Sequence, residues 1–207
     1  MRSLYDFIIK PIGGRYNNKK QIGDKEFIVN TEIFHHQYVN RTAEVLALPI
    51  LVKTDVKVGD AVVVHHNVFR RWHNAHGKEQ NSSNYIKKDM YAIRDDQIFA
   101  YKKKYAKDRD WQAMKDYCFI KPIKSNDKLL VDKEQPYVGI MKYTNVSLPN
   151  IQVGDLVGFT PSSEYEFIID GERLYRVFTS EISIKYEYQG QEEEYNPSWL
   201  QSSGRVN

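Results

Sequence analysis

Cysteine is almost missing from this sequence: Cys118 stands alone among 207 residues. A single thiol excludes an intrachain disulfide framework and suits a reducing compartment. It lies between Tyr117 and Phe119 in an apolar run, which reads as a buried small hydrophobe rather than a nucleophile. Long hydrophobic runs are missing too. No stretch approaches the roughly 18 apolar residues that a membrane span requires. The opening segment, MRSLYDFIIKPIGG, holds no apolar core of signal-peptide length. The expectation is a cytoplasmic protein without a membrane partner.

Excess charge of either sign is scarce. A net charge of +3 is too small to imply a nucleic-acid partner by itself, and Lys102-Lys103-Lys104 reads as a solvated linker. Helical periodicity is nearly absent. The exception is Lys102 to Tyr117, where Tyr105, Trp111 and Met114 are spaced for a short connecting helix. Enzyme signatures are absent as well: there is no phosphate-binding glycine loop, no nucleophile elbow and no zinc-protease histidine pair. The chain is therefore expected to be non-catalytic, with no cofactor.

What the sequence does contain is a repeat. Phe7-Ile8-Ile9-Lys10-Pro11-Ile12 recurs as Cys118-Phe119-Ile120-Lys121-Pro122-Ile123, 111 residues on. Val58-Gly59-Asp60-Ala61-Val62 recurs as Val153-Gly154-Asp155-Leu156-Val157, 95 residues on. Tyr91 to Ile98 recurs as Tyr175 to Ile182, 84 residues on. Three anchors in one order mark a tandem duplication. The falling offsets place two extra excursions in the first copy, one of 16 residues between Gly13 and Lys57 and one of 11 between Val64 and Lys88. A core that closes without them in the second copy should carry them as surface loops.

The anchors are rich in β-branched and aromatic residues, so they read as strands. Pro11 and Pro122 should end or edge theirs, since proline cannot donate to a ladder. Each Val-Gly-Asp is a tight turn, with glycine at positive φ and aspartate bonding the turn backbone. The third anchor reads as strand, polar turn, closing strand. The fold class is all-β: two tandem small β-barrels, residues 1–101 and 117–186, joined by a short helical linker over 102–116 and followed by a tail over 187–207.

Val56-Lys57-Val58-Gly59-Asp60-Ala61-Val62, the Lys10-Pro11-Ile12 opening and Arg94-Asp95-Asp96-Gln97-Ile98-Phe99-Ala100 resemble the co-chaperonins of the GroES type. The likeness spans Leu4 to Tyr101 and, more weakly, Tyr117 to Tyr186. It implies a homo-oligomeric ring of small barrels that caps a chaperonin ring, with the ATP chemistry belonging to the partner. It also implies a mobile loop after the first strand, here Gly13 to Asn30, with Gly23 and Asp24 ahead of an apolar hook at Phe27-Ile28-Val29. Those three residues equally read as the start of a core strand continuing through Ile33 and Phe34. Leu129-Leu130-Val131 in the second copy reads better as strand than as a truncated hook.

All six histidines, His35, His36, His65, His66, His73 and His76, lie in the first copy. His65 and His66, as strand neighbours, should point to opposite faces and so form no metal site. Arg70, Arg71 and Trp72 belong to a basic, aromatic excursion expected to form a solvated loop or a subunit or partner contact, with nucleic acid a minor alternative. Glu192-Glu193-Glu194 followed by Pro197 cannot continue a strand. The tail is either disordered or an arm docking Trp199 and Leu200 on a neighbour. Two functions remain in competition: a co-chaperonin-like cap, and a structural or assembly protein, such as a virion component, reusing the same barrel.

Overall fold

The computed structural model describes residues 3–16, 19–22, 25–28, 39–105, 110–114, 116–125, 133–187 and 195, with the backbone alone over 19–22 and 25–28. The chain is all-β and divides into two compact units, Met1–Trp111 and Gln112–Asn207. No helix among the described residues is long and apolar enough to cross a membrane.

The first unit contains β1 (Phe7–Pro11), β2 (Lys19–Ile22), β3 (Lys25–Ile28), β4 (Thr42–Ala47), β5 (Ala61–Val64), β6 (Arg71–His73), β7 (Glu79–Asn81), β8 (Tyr85–Lys87), β9 (Met90–Ile93) and β10 (Ile98–Lys102). The second contains β11 (Gln112–Ala113), β12 (Tyr117–Lys124), β13 (Glu134–Tyr143), β14 (Leu156–Phe159), β15 (Tyr165–Ile169), β16 (Glu172–Phe178) and β17 (Ile182–Tyr186). Six strands of the first unit line up as β10-β5-β4-β1-β9-β8, and six of the second as β17-β14-β13-β12-β16-β15. The two orders are the same order.

Register repeats as well as order. Ile9 faces Val45 on one side and Tyr91 on the other; Ile120 faces Met141 and Tyr175. A register shift falls between Ile8 and Ile9 in one unit and between Phe119 and Ile120 in the other. A second pair of shifts falls where β5 meets β10 and where β14 meets β17. Bulges bend and twist a sheet, so matching bulges give both units the same curl. Among the described residues no ladder joins β8 to β10 or β15 to β17, so each unit is a curled, open sheet rather than a closed barrel.

The curl explains why the central strands are buried on both faces. Phe7, Ile8 and Ile9 are all sealed from solvent, as are Cys118, Phe119 and Ile120. In the second unit Cys118 and Ile120 join Met141, Val157, Phe159 and Val177 in one cluster. Phe119 instead meets Tyr143 and Phe167 edge-on. Full burial of each such side chain contributes roughly 1.5–3 kcal/mol. Burial also pushes the Cys118 thiol up to about 12, in keeping with a packing role.

Both Val-Gly-Asp segments form the expected turn, at φ +90° for Gly59 and +94° for Gly154. In each, the aspartate carboxylate accepts the N–H three residues earlier, Lys57 to Asp60 at 2.8 Å and Gln152 to Asp155 at 2.7 Å. In each, the glycine and aspartate backbone groups also bracket the neighbouring strand, Val45 in one unit and Met141 in the other. The N–H of Gln152, then Lys185 at 2.6 Å, hold the Asp155 carboxyl below the usual carboxylate range. The unfolded chain therefore binds this proton more tightly than the folded one. The contribution is present above the unfolded value near 4 and is lost as pH falls through the lower folded value. In thermal melts from pH 6 downwards, Asp155→Asn should start about 2 °C below the wild type and lose less on acidification. Parallel curves for the two proteins would refute this.

Three sequence expectations change. The connecting helix over Lys102 to Tyr117 is not formed among the described residues. Lys102 ends β10, Lys104 donates its N–H to Asp60 and lies 3.7 Å from Glu44, and a turn at Met114–Tyr117 follows β11. The aromatic spacing was coincidental, since Tyr105 is 86% exposed and Trp111 only 5%. The lysine run is thus no free linker, because Lys104 is held on the Val-Gly-Asp turn. Pro122 does not end β12, yet it occupies a stretch where β13 is the only strand neighbour, because pairing with β16 stops at Ile120. Both first-copy excursions contain β-hairpins, β2–β3 and β6–β7, each a separate two-stranded sheet, where loops were expected.

Candidate functional site

The two excursions distinguish the first unit from the second, and their roots lie together. The first leaves the sheet after β1 and returns before β4. Its neck is closed by a bridge between Tyr16 and Val39, reinforced by the Asn40 N–H donating to the Arg15 carbonyl at 3.0 Å. Asn40, 1% exposed, donates from Nδ2 to the carbonyls of Ile12 and Gly14 at 2.7 and 2.8 Å. Its Oδ1 accepts the N–H and the hydroxyl of Thr42, both at 2.9 Å. Every polar atom of this buried amide is used in shaping the neck. Beyond it, β2 and β3 pair with Lys20 opposite Phe27 and Lys19 opposite Ile28. Phe27 and Ile28 are therefore ladder residues; Gly23, Asp24, Val29, Ile33, Phe34, His35 and His36 lie outside the described residues.

The second excursion starts in a turn that positions Val68 and Phe69 in the core. Arg15 fastens it. Its Nε and Nη2 donate to the Phe69 carbonyl at 3.2 and 3.0 Å, and Nη1 reaches Asn81 Oδ1 at 2.7 Å. One guanidinium thus ties down both ends of the β6–β7 hairpin while lying against the rings of Tyr85 and Tyr91. Tyr16 adds a second fastening, its hydroxyl accepting the Arg71 N–H at 2.7 Å while the Arg71 side chain covers its ring. The necks of the two excursions are riveted to each other.

Of the predicted contact residues, Arg71 pairs with Glu79 at 3.1 Å, Trp72 is 45% exposed opposite Gln80, and Arg70 is half-buried. Asn74 closes the hairpin tip by accepting the N–H groups of His76 and Lys78, leaving His73 and His76 exposed. His65 and His66 do not straddle a strand: β5 ends at Val64, and the two rings stack 4.3 Å apart. Among the described residues no three metal-ligating side chains gather.

In the second unit a polar cluster surrounds Arg173, which pairs with Glu134 at 2.8 Å and Glu166 at 2.9 Å. Burial opposes the charge there, but the two carboxylates outweigh it and raise the guanidinium above its ordinary value. Burial, then the hydrogen bond it donates to Glu134, pushes the Tyr175 phenol up. Tyr195 meets this cluster, its ring 5.9 Å from Arg173 and its N–H on the Pro122 carbonyl at 2.9 Å. The chain thus returns to its own β12 at Tyr195, while Trp199, Leu200 and Leu129 to Val131 lie outside the described residues.

Sequence reasoning missed Arg15, Tyr16 and Asn40. Only the Gly13-Gly14 pair ahead of Arg15 signalled that the chain turns there. The geometry defines a duplicated all-β protein whose first copy bears a pair of rooted hairpins. No protein-family model matches the chain, and no curated protein matches it.

Proposed function

We propose that the chain is a co-chaperonin-like protein in which the β2–β3 excursion carries the contact to a chaperonin ring. The observation that supports this reading is the placement of the excursion. It follows the first strand, is confined to the first copy, and issues from a neck closed by Tyr16, Val39 and Asn40. That is the position at which the GroES-type resemblance expects a binding loop, and Phe27 and Ile28 sit on the returning strand of its hairpin.

A single contact of this kind is weak. Three medium apolar side chains gain roughly 5–8 kcal/mol gross, most of it consumed by ordering and association, which leaves about −4 kcal/mol. Useful affinity then requires several copies on one assembly, acting through effective concentration. The proposal therefore includes homo-oligomerisation, with ATP turnover left to the partner.

The test is Ile28→Asp in a chaperonin pull-down with nucleotide. Retention should fall by at least about tenfold, one aspartate in an apolar contact being worth several kcal/mol, while the thermal melt stays within a degree or two of wild type. Undiminished capture would remove the β2–β3 strand from consideration. A second reading, a structural or assembly protein, is favoured by the rooting itself: paired strands fastened by Arg15 make a fixed knob, suited to permanent contacts. Copurification with a shell or tail protein in place of a chaperonin decides for it.

A further inference from the structure

The positive charge of this protein is concentrated in one place. Between Val64 and Lys88 stand Arg70, Arg71, Lys78, Lys87 and Lys88 against Glu79 alone, a surplus of four in a chain whose total is +3. The remainder of the molecule is close to neutral. Within this stretch Glu79 is already taken by Arg71, whose side chain is turned onto Tyr16. Trp72, the next residue of β6, takes the opposite face by strand alternation and stands 45% exposed.

Arg70 is the unusual member. It is half-buried, its Nε is sealed from solvent, and among the described residues it has no hydrogen-bond or ion-pair partner. A guanidinium held partly out of water with nothing to donate to is set for an anionic oxygen. Two residues on, Trp72 offers an open π-face. One ligand class supplies both an anionic oxygen and a planar ring at short spacing along a chain: a nucleic acid with unstacked bases. An acidic peptide would meet Arg70 but leave the indole face idle, and a duplex keeps its bases stacked on one another.

We propose that the Arg70–Trp72 side of the β6–β7 hairpin binds single-stranded nucleic acid, with Trp72 stacking on a base and Arg70 pairing with a neighbouring phosphate. Lys78 at the hairpin tip extends the positive track. This surface is separate from the β2–β3 strand and does not rest on the chaperonin reading.

The experiment is fluorescence anisotropy of the full-length chain with labelled oligothymidylate and oligouridylate, at about 50 and about 200 mM salt. Binding should weaken clearly with salt. Trp72→Ala should weaken it by about tenfold, and Trp72→Phe should retain most of it. Arg70→Gln should weaken it about fivefold and lower the salt slope by about 0.7, one phosphate contact on a single strand. Circular dichroism melts establish that each variant is folded, and Trp72→Phe keeps the stacking arm readable if Trp72→Ala is not.

Three results would overturn the proposal. One is no oligonucleotide binding at roughly 100 µM protein in low salt. Another is binding unchanged by both Trp72→Ala and Arg70→Gln. The third is tighter capture of a synthetic peptide copying Glu187 to Tyr195, which would assign the surface to an acidic protein segment. A duplex of the same sequence bound as well as the single strand would likewise exclude stacking as the basis.

Discussion

Gly139→Ala is expected to lower the stability of the second unit by about 3 kcal/mol, a large share of the 5–15 kcal/mol that a domain typically has. Gly139 lies in β13 between β12 and β14, opposite Pro122 and Val157. A Cβ there would sit 2.3 Å from the Lys121 carbonyl oxygen and 2.6 Å from Ile120 Cγ2. The first obstacle is backbone in a paired strand, so relief requires β12 and β13 to move apart. Reduced freedom of the unfolded chain returns only about 0.4–1 kcal/mol. The loss wins.

The equivalent position in the first unit is Ala43, opposite Pro11 and Val62 and fully buried. The methyl group is tolerated there. What differs is the extra register shift of β12 between Pro122 and Lys124, which has no counterpart in β1. Gly158→Ala is the internal control: its Cβ would meet the edge of the Tyr186 ring at 3.1 Å, and a side chain can give way. Less than about 1 kcal/mol should be lost. Urea unfolding gives both numbers, and hydrogen exchange should place the Gly139→Ala effect in β12 to β14 with β1 to β10 unaltered. An unchanged midpoint for Gly139→Ala would contradict the packing described here.

The second large effect is expected at Asn40. Replacement by alanine leaves the Ile12 and Gly14 carbonyls and the Thr42 N–H without this partner, in a site only 1% exposed. Unsatisfied buried groups cost about 1–3 kcal/mol apiece, partly recovered by entering water, so the net loss should be about 3 kcal/mol. The effect should have a local signature as well. With the neck loosened, protease cleavage between residues 17 and 38 should accelerate before global unfolding does. Asn40→Asp keeps the acceptor for Thr42 and removes the donors, so it should fall between the two. If cleavage tracks global stability alone, Asn40 is merely a core residue and does not hold the neck.

Much of this architecture was legible before any coordinates. The anchor strands are dense in valine, isoleucine and aromatic residues, and Ala61–Val64 forms β5 over the expected span. The Val-Gly-Asp turns were legible because glycine at positive φ and an aspartate acceptor act within four residues. The excursions were located by subtraction between copies. Their pairing was not visible, because Lys19–Ile22 and Arg71–His73 are polar segments that become strands only against a partner. The helix expected near Trp111 failed for the opposite reason: a local spacing was trusted where burial is set by the sheet.

By itself, then, the amino-acid order determined the duplication, the strand and turn positions and the sites of the two insertions. These follow from short-range preferences and from repetition, which neighbouring residues encode. Only the tertiary structure decided that the two insertions share a root. Arg15 reaches Phe69 and Asn81 across 54 and 66 residues of chain. Contacts at that separation depend on which strands lie side by side, and strand order comes from the closing of the whole core, which no local stretch specifies.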